Sequence, residues 1–318
     1  MAGDRGQLSN DVNACVDEVI RRVGKEITLG LPLGLGKPVR FVNALYQRAK
    51  DDPEISLHIV TALSLLAPKG GSSLEKRFMG PFVERLYGRI PELAYARDVS
   101  ANRLPENVQV SEFFFKAGSY LNNRSQQRHY VCTNYTHAVC DLMAVGVNVV
   151  AQMVSPGEAH GQPGQVSLSC NPDLTLDLIP LLREREAAGT PVALVAEMNQ
   201  NLPWFGHHAA IEADRFDVLL DQPSGDYPLF SAPQMSVSPE DHLIGFYAST
   251  LLKDGGTLQV GIGSLGAALV HSAILRHSHN KAWRQVFDHL QVDQHFPVVR
   301  EDGGTGPFEE GLYGCSEM

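Results

Sequence analysis

The chain has 318 residues, with 26 Lys and Arg against 36 Asp and Glu, a formal charge of −10 and 43% apolar residues. That length makes one large or two ordinary domains with enough apolar chain for a sizeable core, which excludes general disorder. The acidic balance argues against broad adhesion to nucleic acid or anionic lipid, whose phosphates call for clustered Lys and Arg.

Cys15, Cys132, Cys140, Cys170 and Cys315 are odd in number and never in CxxC form. Neither a disulfide scaffold nor a structural zinc site is expected, and the cysteines read as small buried hydrophobes. Asp4, Arg5, Asp11, Asp17 and Glu18 break up the N-terminal stretch, so no secretory segment is expected there. The uncharged run from Leu258 to Leu275 contains Gln259, Gly261, Gly263, Gly266 and His271. It suits a buried strand, turn and helix better than a membrane span. A reduced, cytoplasmic protein is expected.

Leu8, Val12, Val16, Val19, Ile20 and Val23 recur at helical spacing, with Ser9 or Asn10 as cap and Gly24 as stop. A strand over Glu26 to Leu31 follows, then a glycine turn from Gly30 to Gly36, then a helix with Pro38 as its first residue. Short β-branched runs at Leu57–Thr61, Val108–Phe113, Val147–Val154, Val192–Glu197 and Phe216–Asp221 alternate with helical stretches such as Leu74–Tyr87 and Leu176–Glu186. This alternation predicts an α/β fold with an open, largely parallel sheet flanked by helices. Ser238-Pro239-Glu240-Asp241 opens a further helix that is expected to run to Gly255-Gly256. Thr257 to Val270 repeats the order of strand, glycine turn and helix. Two stretches read as irregular: Ser155–Gln165 as a surface loop, and Arg300–Gly311 as a linker or insertion.

Gly36-Lys37 is not a nucleotide-binding loop. Leu31 occupies the position of its first glycine, and Pro38 stands where Ser or Thr would hold magnesium. Gly261, Gly263 and Gly266 form GxGxxG at a strand-to-helix junction, where backbone N–H groups and a helix dipole can meet an anion or oxyanion. Dinucleotide binding also needs an acid at the end of a second strand about twenty residues on. The nearest candidate, Asp288, falls in a helical stretch, Lys281–Leu290. His207-His208 and His271, His277 and His279 lack the spacing of a metal site, so no metal is expected. Ile262 occupies the glycine position before Ser264 that a serine-hydrolase elbow requires. A carboxylate is the better nucleophile for any acyl group, given donors for the oxyanion.

Four segments, taken in order, resemble the acetyl-CoA hydrolase/transferase family, which includes 4-hydroxybutyrate and succinyl-CoA:acetate CoA-transferases. They are LGLPLGLGKP (Leu29–Pro38), EMNQNLPWFG (Glu197–Gly206), GGTLQVGIGSLGAALV (Gly255–Val270) and GLYGCSEM (Gly311–Met318). The resemblance implies a NagB/RpiA/CoA-transferase-like α/β fold and covers the family's first domain. It divides the chain into residues 1–299, the N-terminal domain, and 300–318, a linker and truncated catalytic segment, with a second C-terminal domain missing. Gly314-Cys315-Ser316-Glu317-Met318 is similar to the family's catalytic motif, in which Cys315 stands where histidine is common. Glu317 thereby inherits the role of nucleophile. Gly261, Ile262, Gly263, Ser264, Leu265 and Gly266 resemble the CoA-binding segment, with a backbone N–H, such as that of Ile262, facing the oxyanion.

The activity so implied is CoA transfer between an acyl-CoA and a small carboxylic acid through a glutamyl-CoA thioester. Coenzyme A is then a substrate, and no cofactor is permanently bound. Acetyl-CoA hydrolysis is the alternative, and an NAD(P)-binding oxidoreductase built on GxGxxG is a second. A homodimer is among the assemblies the resemblance allows. No nucleic acid or membrane partner is expected, and residues 1–318 alone are expected to turn over little.

Overall fold

The computed structural model describes residues 6–229 and 236–316. The chain divides between Phe230 and Ser231 into two compact units.

The strands of the first unit are β1 (Gln7–Ser9), β2 (Glu26–Gly30), β3 (Ser56–Thr61), β4 (Val108–Glu112), β5 (Val149–Pro156), β6 (Gln165–Ser167), β7 (Ala193–Met198), β8 (Ala210–Glu212) and β9 (Val218–Leu220). They form one sheet whose main path runs β1-β9-β7-β5-β2-β3-β4, parallel at every step, with β6 and β8 as an antiparallel extension of β5. Its helices are α1 (Val12–Val23), α2 (Val39–Asp51), α3 (Ser73–Tyr87), α4 (Ala94–Ser100), α5 (Arg124–Arg128), α6 (Ala138–Val145) and α7 (Pro172–Ala187).

Central strands are apolar on both faces because both faces are covered. In β5, Val149, Ala151 and Met153 join one core with residues of α1, α2 and α4, among them Val16, Leu45 and Tyr95. Val150 and Val154 join the opposite core with α6 and α7, through Leu142, Leu178 and Leu182. The chain steps from β2 to β3 in one direction and from β5 to β7 in the other, so the winding reverses between the neighbours β2 and β5. In open α/β sheets ligands bind outside the carboxyl ends of the strands at such a reversal.

The second unit contains α8 (Pro239–Ser249), β10 (Thr257–Val260), α9 (Ser264–Ser278), α10 (Asn280–His289), two single turns at Val292–His295 and Val299–Asp302, and β11 (Tyr313–Ser316). Phe246, Trp283, Phe287, Val292 and Val299 form its core. β10 and β11 pair in parallel.

Several sequence expectations change. Gln7–Ser9 is an edge strand, and α1 is capped by Asp11, whose carboxylate accepts the Asn13 N–H at 2.9 Å, rather than by Ser9 or Asn10. Pro38 precedes the first helical residue, Val39. The supposed loop from Ser155 to Gln165 begins inside β5 and ends at the start of β6. Cys15 is buried, but Cys132 and Cys140 are exposed. Among the described residues no helix is long and apolar enough to cross a membrane.

Candidate active site

Two glycine turns follow strands, one in each unit. In the first unit the turn after β2 closes at Gly36, where a Cβ would stand 2.6 Å from Asn171 Oδ1, so only glycine fits against that side chain. Lys37 is buried, and its Nζ donates to the carbonyls of Pro32 at 2.8 Å and Ala62 at 2.6 Å. The lysine that superficially suggested a phosphate loop is thus spent on its own backbone. Burial lowers its pKa and raises that of the neighbouring Glu112 carboxyl, whose Oε2 accepts the Ser64 N–H.

The EMNQN segment leaves β7 beside the start of α2. Glu197 is fully buried and accepts the Phe41 N–H at 2.9 Å, in the first turn of α2. It also accepts Arg40 Nε and the Tyr227 hydroxyl, each at 3.2 Å. Burial pushes its pKa up, opposed by these donors. Asn199, equally buried, donates to the Tyr227 carbonyl. Two of the four segments singled out in the sequence thus lie at the carboxyl edge of the sheet, the second bound to the start of α2, which follows the first. The first of them borders a small cleft of about 70 Å³ lined by Leu35, Lys37, Leu66, Ile90, Met153 and Tyr227, among others. Sequence reasoning assigned no role to Glu197; its buried wiring depends on contacts with residues far away in the chain.

In the second unit β10 ends at Val260, the turn 261–263 follows, and α9 begins at Ser264. Gly263 has φ of +146°, which side-chain-bearing residues rarely adopt. A Cβ on Gly266 would stand 2.2 Å from the Gly261 carbonyl oxygen, so the first turn of α9 closes directly on the turn before it. At Gly245 a Cβ would approach the Ala268 carbonyl carbon to 2.6 Å, so the backbones of α8 and α9 touch. The side chains of Ile262 and Leu265 are exposed at the rim. The GxGxxG pattern accordingly has a tight packing role whatever else it does.

Register then joins this turn to the final motif. Across the β10–β11 ladder, Leu258 pairs with Gly314, Gln259 with Cys315 and Val260 with Ser316. Gly261 follows Val260 in the chain, as Glu317 follows Ser316. Glu317 itself lies outside the described residues.

The approach to β11 is fastened by two side chains that sequence reasoning passed over. Asp254 accepts the N–H groups of Glu309 at 2.8 Å, Glu310 at 3.1 Å and Gly311 at 3.0 Å, which hold its pKa below the ordinary aspartate value. Arg276, buried within α9, donates to the carbonyls of Gly306 and Gly303, each at 2.8 Å, and of Leu252 at 2.6 Å, and lies over the Phe308 ring. The segment Arg300–Gly311, expected to be a linker or insertion, is in this way tied into the second unit. The one visible signal was an arginine in a helix with no other Lys, Arg, Asp or Glu.

After α9 the chain enters α10, so Asp288 sits on a helix and not at a strand end. Among the described residues no group of three or more His, Cys, Asp or Glu is arranged to hold a metal ion.

No protein-family model matches the sequence, and no curated protein matches it. Solved structures do share its fold. RipA from Yersinia pestis is 19% identical, with a TM-score of 0.50 over 85% of this chain and 53% of its own. A RipA point mutant gives 20% identity and a TM-score of 0.52 over 85% of this chain and 52% of its own. A 4-hydroxybutyrate CoA-transferase from Porphyromonas gingivalis, 19% identical, aligns over 84% of this chain and 51% of its own with a TM-score of 0.44, too loose to argue from. The chain spans about half the length of the RipA structures it matches. What it shares with them is the fold: an open, largely parallel α/β sheet flanked by helices.

Proposed function

We propose that this chain is the N-terminal part of a CoA-transferase that moves CoA from an acyl-CoA to a carboxylic acid, with Glu317 as nucleophile. The observation that supports the reading is the β10–β11 register, in which the residues before the glycine turn pair with the residues before Glu317. In this scheme a Glu317 oxygen attacks the thioester carbonyl, and CoA leaves as the thiolate, giving a mixed anhydride. The thiolate then attacks the glutamyl carbonyl, forming glutamyl-CoA and releasing the first acid. An acceptor carboxylate attacks that thioester and again expels the thiolate, which takes the new acyl group and frees Glu317. Each hard transfer is divided into easier ones.

The turn 261–266 would hold the reacting end of CoA, because small residues admit the thioester and a backbone N–H near Ile262 can meet the oxyanion. Loss of one such donor typically costs about 3 to 4 kcal/mol of transition-state stabilisation. The second half present in the longer RipA structures is where this reading places the remaining CoA contacts.

The test uses a chain that continues beyond Met318. With acetyl-CoA and a labelled carboxylic acid, labelled acyl-CoA should form, and borohydride added during turnover should reduce the thioester and modify Glu317. A Glu317→Ala variant should lose turnover. Free CoA released equally fast without acceptor would make the protein a hydrolase, and an active Glu317→Ala variant would remove the glutamate from the mechanism. The 318-residue chain alone should show little turnover.

A further inference from the structure

Spacing along α9 gives His271 no metal-binding companion, but the fold supplies one from another helix. The imidazole rings of His242 in α8 and His271 in α9 have their centroids 5.3 Å apart and their planes at 70°. The two residues flank the closest approach of the helices. His242 lies one turn before Gly245, and His271 one turn after Ala268, whose carbonyl carbon would stand 2.6 Å from a Cβ on Gly245. Backbone packed on backbone leaves the helices little room to slide, so the two rings are held at a fixed spacing.

That spacing is the one a shared ion demands. With metal–nitrogen bonds of about 2.0 to 2.1 Å and the tetrahedral angle that zinc favours, two imidazole centroids on one ion lie about 5.2 Å apart. Ligands at right angles, as in octahedral or square sites, would bring them to about 4.5 Å. Both histidines are exposed, so an ion reaches them without opening the core. The surrounding charge suits a cation: the first turn of α8 carries Glu240 and Asp241, and the helix has no Lys or Arg. Asp241 is held ionised by the Ser238 N–H, at 3.2 Å, and by His242 beside it.

We infer that His242 and His271 form a two-point site for a divalent transition-metal ion, zinc by its geometry, which clips α8 to α9 and leaves the remaining coordination positions to water. Among the described residues no third His, Cys, Asp or Glu completes the set, so binding should be reversible. The site stands apart from the acyl-transfer reading, which uses neither histidine.

The test is calorimetric titration of the metal-free 318-residue chain with zinc sulfate from about 1 to about 1,000 µM, alongside X-ray absorption at the zinc edge. The tightest-bound ion should lose about tenfold or more in affinity in His242→Gln and again in His271→Gln, since either change breaks the chelate. The absorption spectrum should show two imidazole nitrogens at about 2.0 to 2.1 Å. Zinc should slow amide exchange in residues 239–249 and 264–278. Both histidines are exposed, so circular dichroism of the variants should match the parent. His277→Gln should bind zinc like the parent, because His277 stacks on Phe308 outside the pair. No binding across that range, affinity unchanged in both single variants, or sulfur bound to the zinc, which would place the ion on a cysteine, would overturn the site.

Discussion

Val260 and Ser316 are Cα partners at the end of a two-stranded parallel ladder. Parallel neighbours need a long crossover, and α9, α10 and the turns after them supply it. A two-stranded pair is marginal in water unless other contacts fix it. Here those contacts converge on Asp254, which precedes β10 and binds the approach to β11, and on Arg276 in the crossover helix. The placement of Tyr313–Ser316 is therefore a property of the whole second unit.

Asp254→Ala should loosen β11 without unfolding the unit. The three N–H groups that lead into β11 lose their common acceptor, and amides of residues 313–316 should exchange at least tenfold faster while those of α9 hardly change. The pKa of Asp254 is lowered in the folded chain by those N–H groups. Its contribution is thus fully present above the unfolded value, about 3.9, and is lost as pH falls through the lower folded value. Equal exchange in variant and parent would show that Asp254 does not fasten the strand.

Gly266→Ala tests the turn itself. The added methyl would lie 2.2 Å from the Gly261 carbonyl oxygen, backbone that cannot rotate away. Urea unfolding of the second unit should show a loss of about 1 to 3 kcal/mol. Ala267→Gly, in the same helical turn, should cost only about 1 kcal/mol through helix propensity. A neutral Gly266→Ala would mean that the turn and α9 are spaced more widely than the Cβ clash implies.

The periodicity of the sequence carried the sheet far better than the ends of its elements. Every strand on the main path except β1 falls within a residue or two of a β-branched run, because central parallel strands are apolar on both faces and announce themselves. Gln7–Ser9 has no such signal; its conformation comes from pairing with Val218–Leu220. Helix α8 stops at Ser249, well before Gly255-Gly256, because the Ser249 and Thr250 hydroxyls turn back onto the Phe246 and Tyr247 carbonyls at 2.7 and 2.6 Å. The motifs near Gly36, Glu197 and Gly261 were visible as patterns. The buried charges that organise them, Glu197 and Arg276, were not, since burial of a charge is decided by partners far away in sequence.

Arg276→Met should destabilise the second unit by about 2 to 4 kcal/mol, because several buried carbonyls lose a charged donor together. Arg276→Lys should recover only part of this. An ammonium lacks the planar fork that reaches Gly303, Gly306 and Leu252 at once, and it stacks less well on Phe308. Thermal unfolding of the three proteins should rank them arginine, lysine, methionine. Lysine equal to arginine would reduce the role of the residue to its charge.

Glu197 makes the first unit respond to pH in the opposite sense to Asp254. Burial raises its folded pKa, whereas in the unfolded chain it ionises near about 4.3. Between those values the folded chain holds a proton that the unfolded chain has released, so stability declines as pH rises and levels off once the folded carboxyl has ionised. Glu197→Gln removes the titration while keeping an acceptor for the Phe41 N–H, its amide nitrogen then facing the Tyr227 hydroxyl, which can accept. It should flatten that part of the stability profile, measured by urea unfolding from about pH 4 to about pH 7. Glu197→Ala should instead lower stability by about 2 to 4 kcal/mol at every pH, leaving Arg40 and the start of α2 without their buried acceptor. A Gln variant that keeps the parent's slope would assign the pH response to another group, with Glu112 the next to substitute, since burial raises its pKa as well.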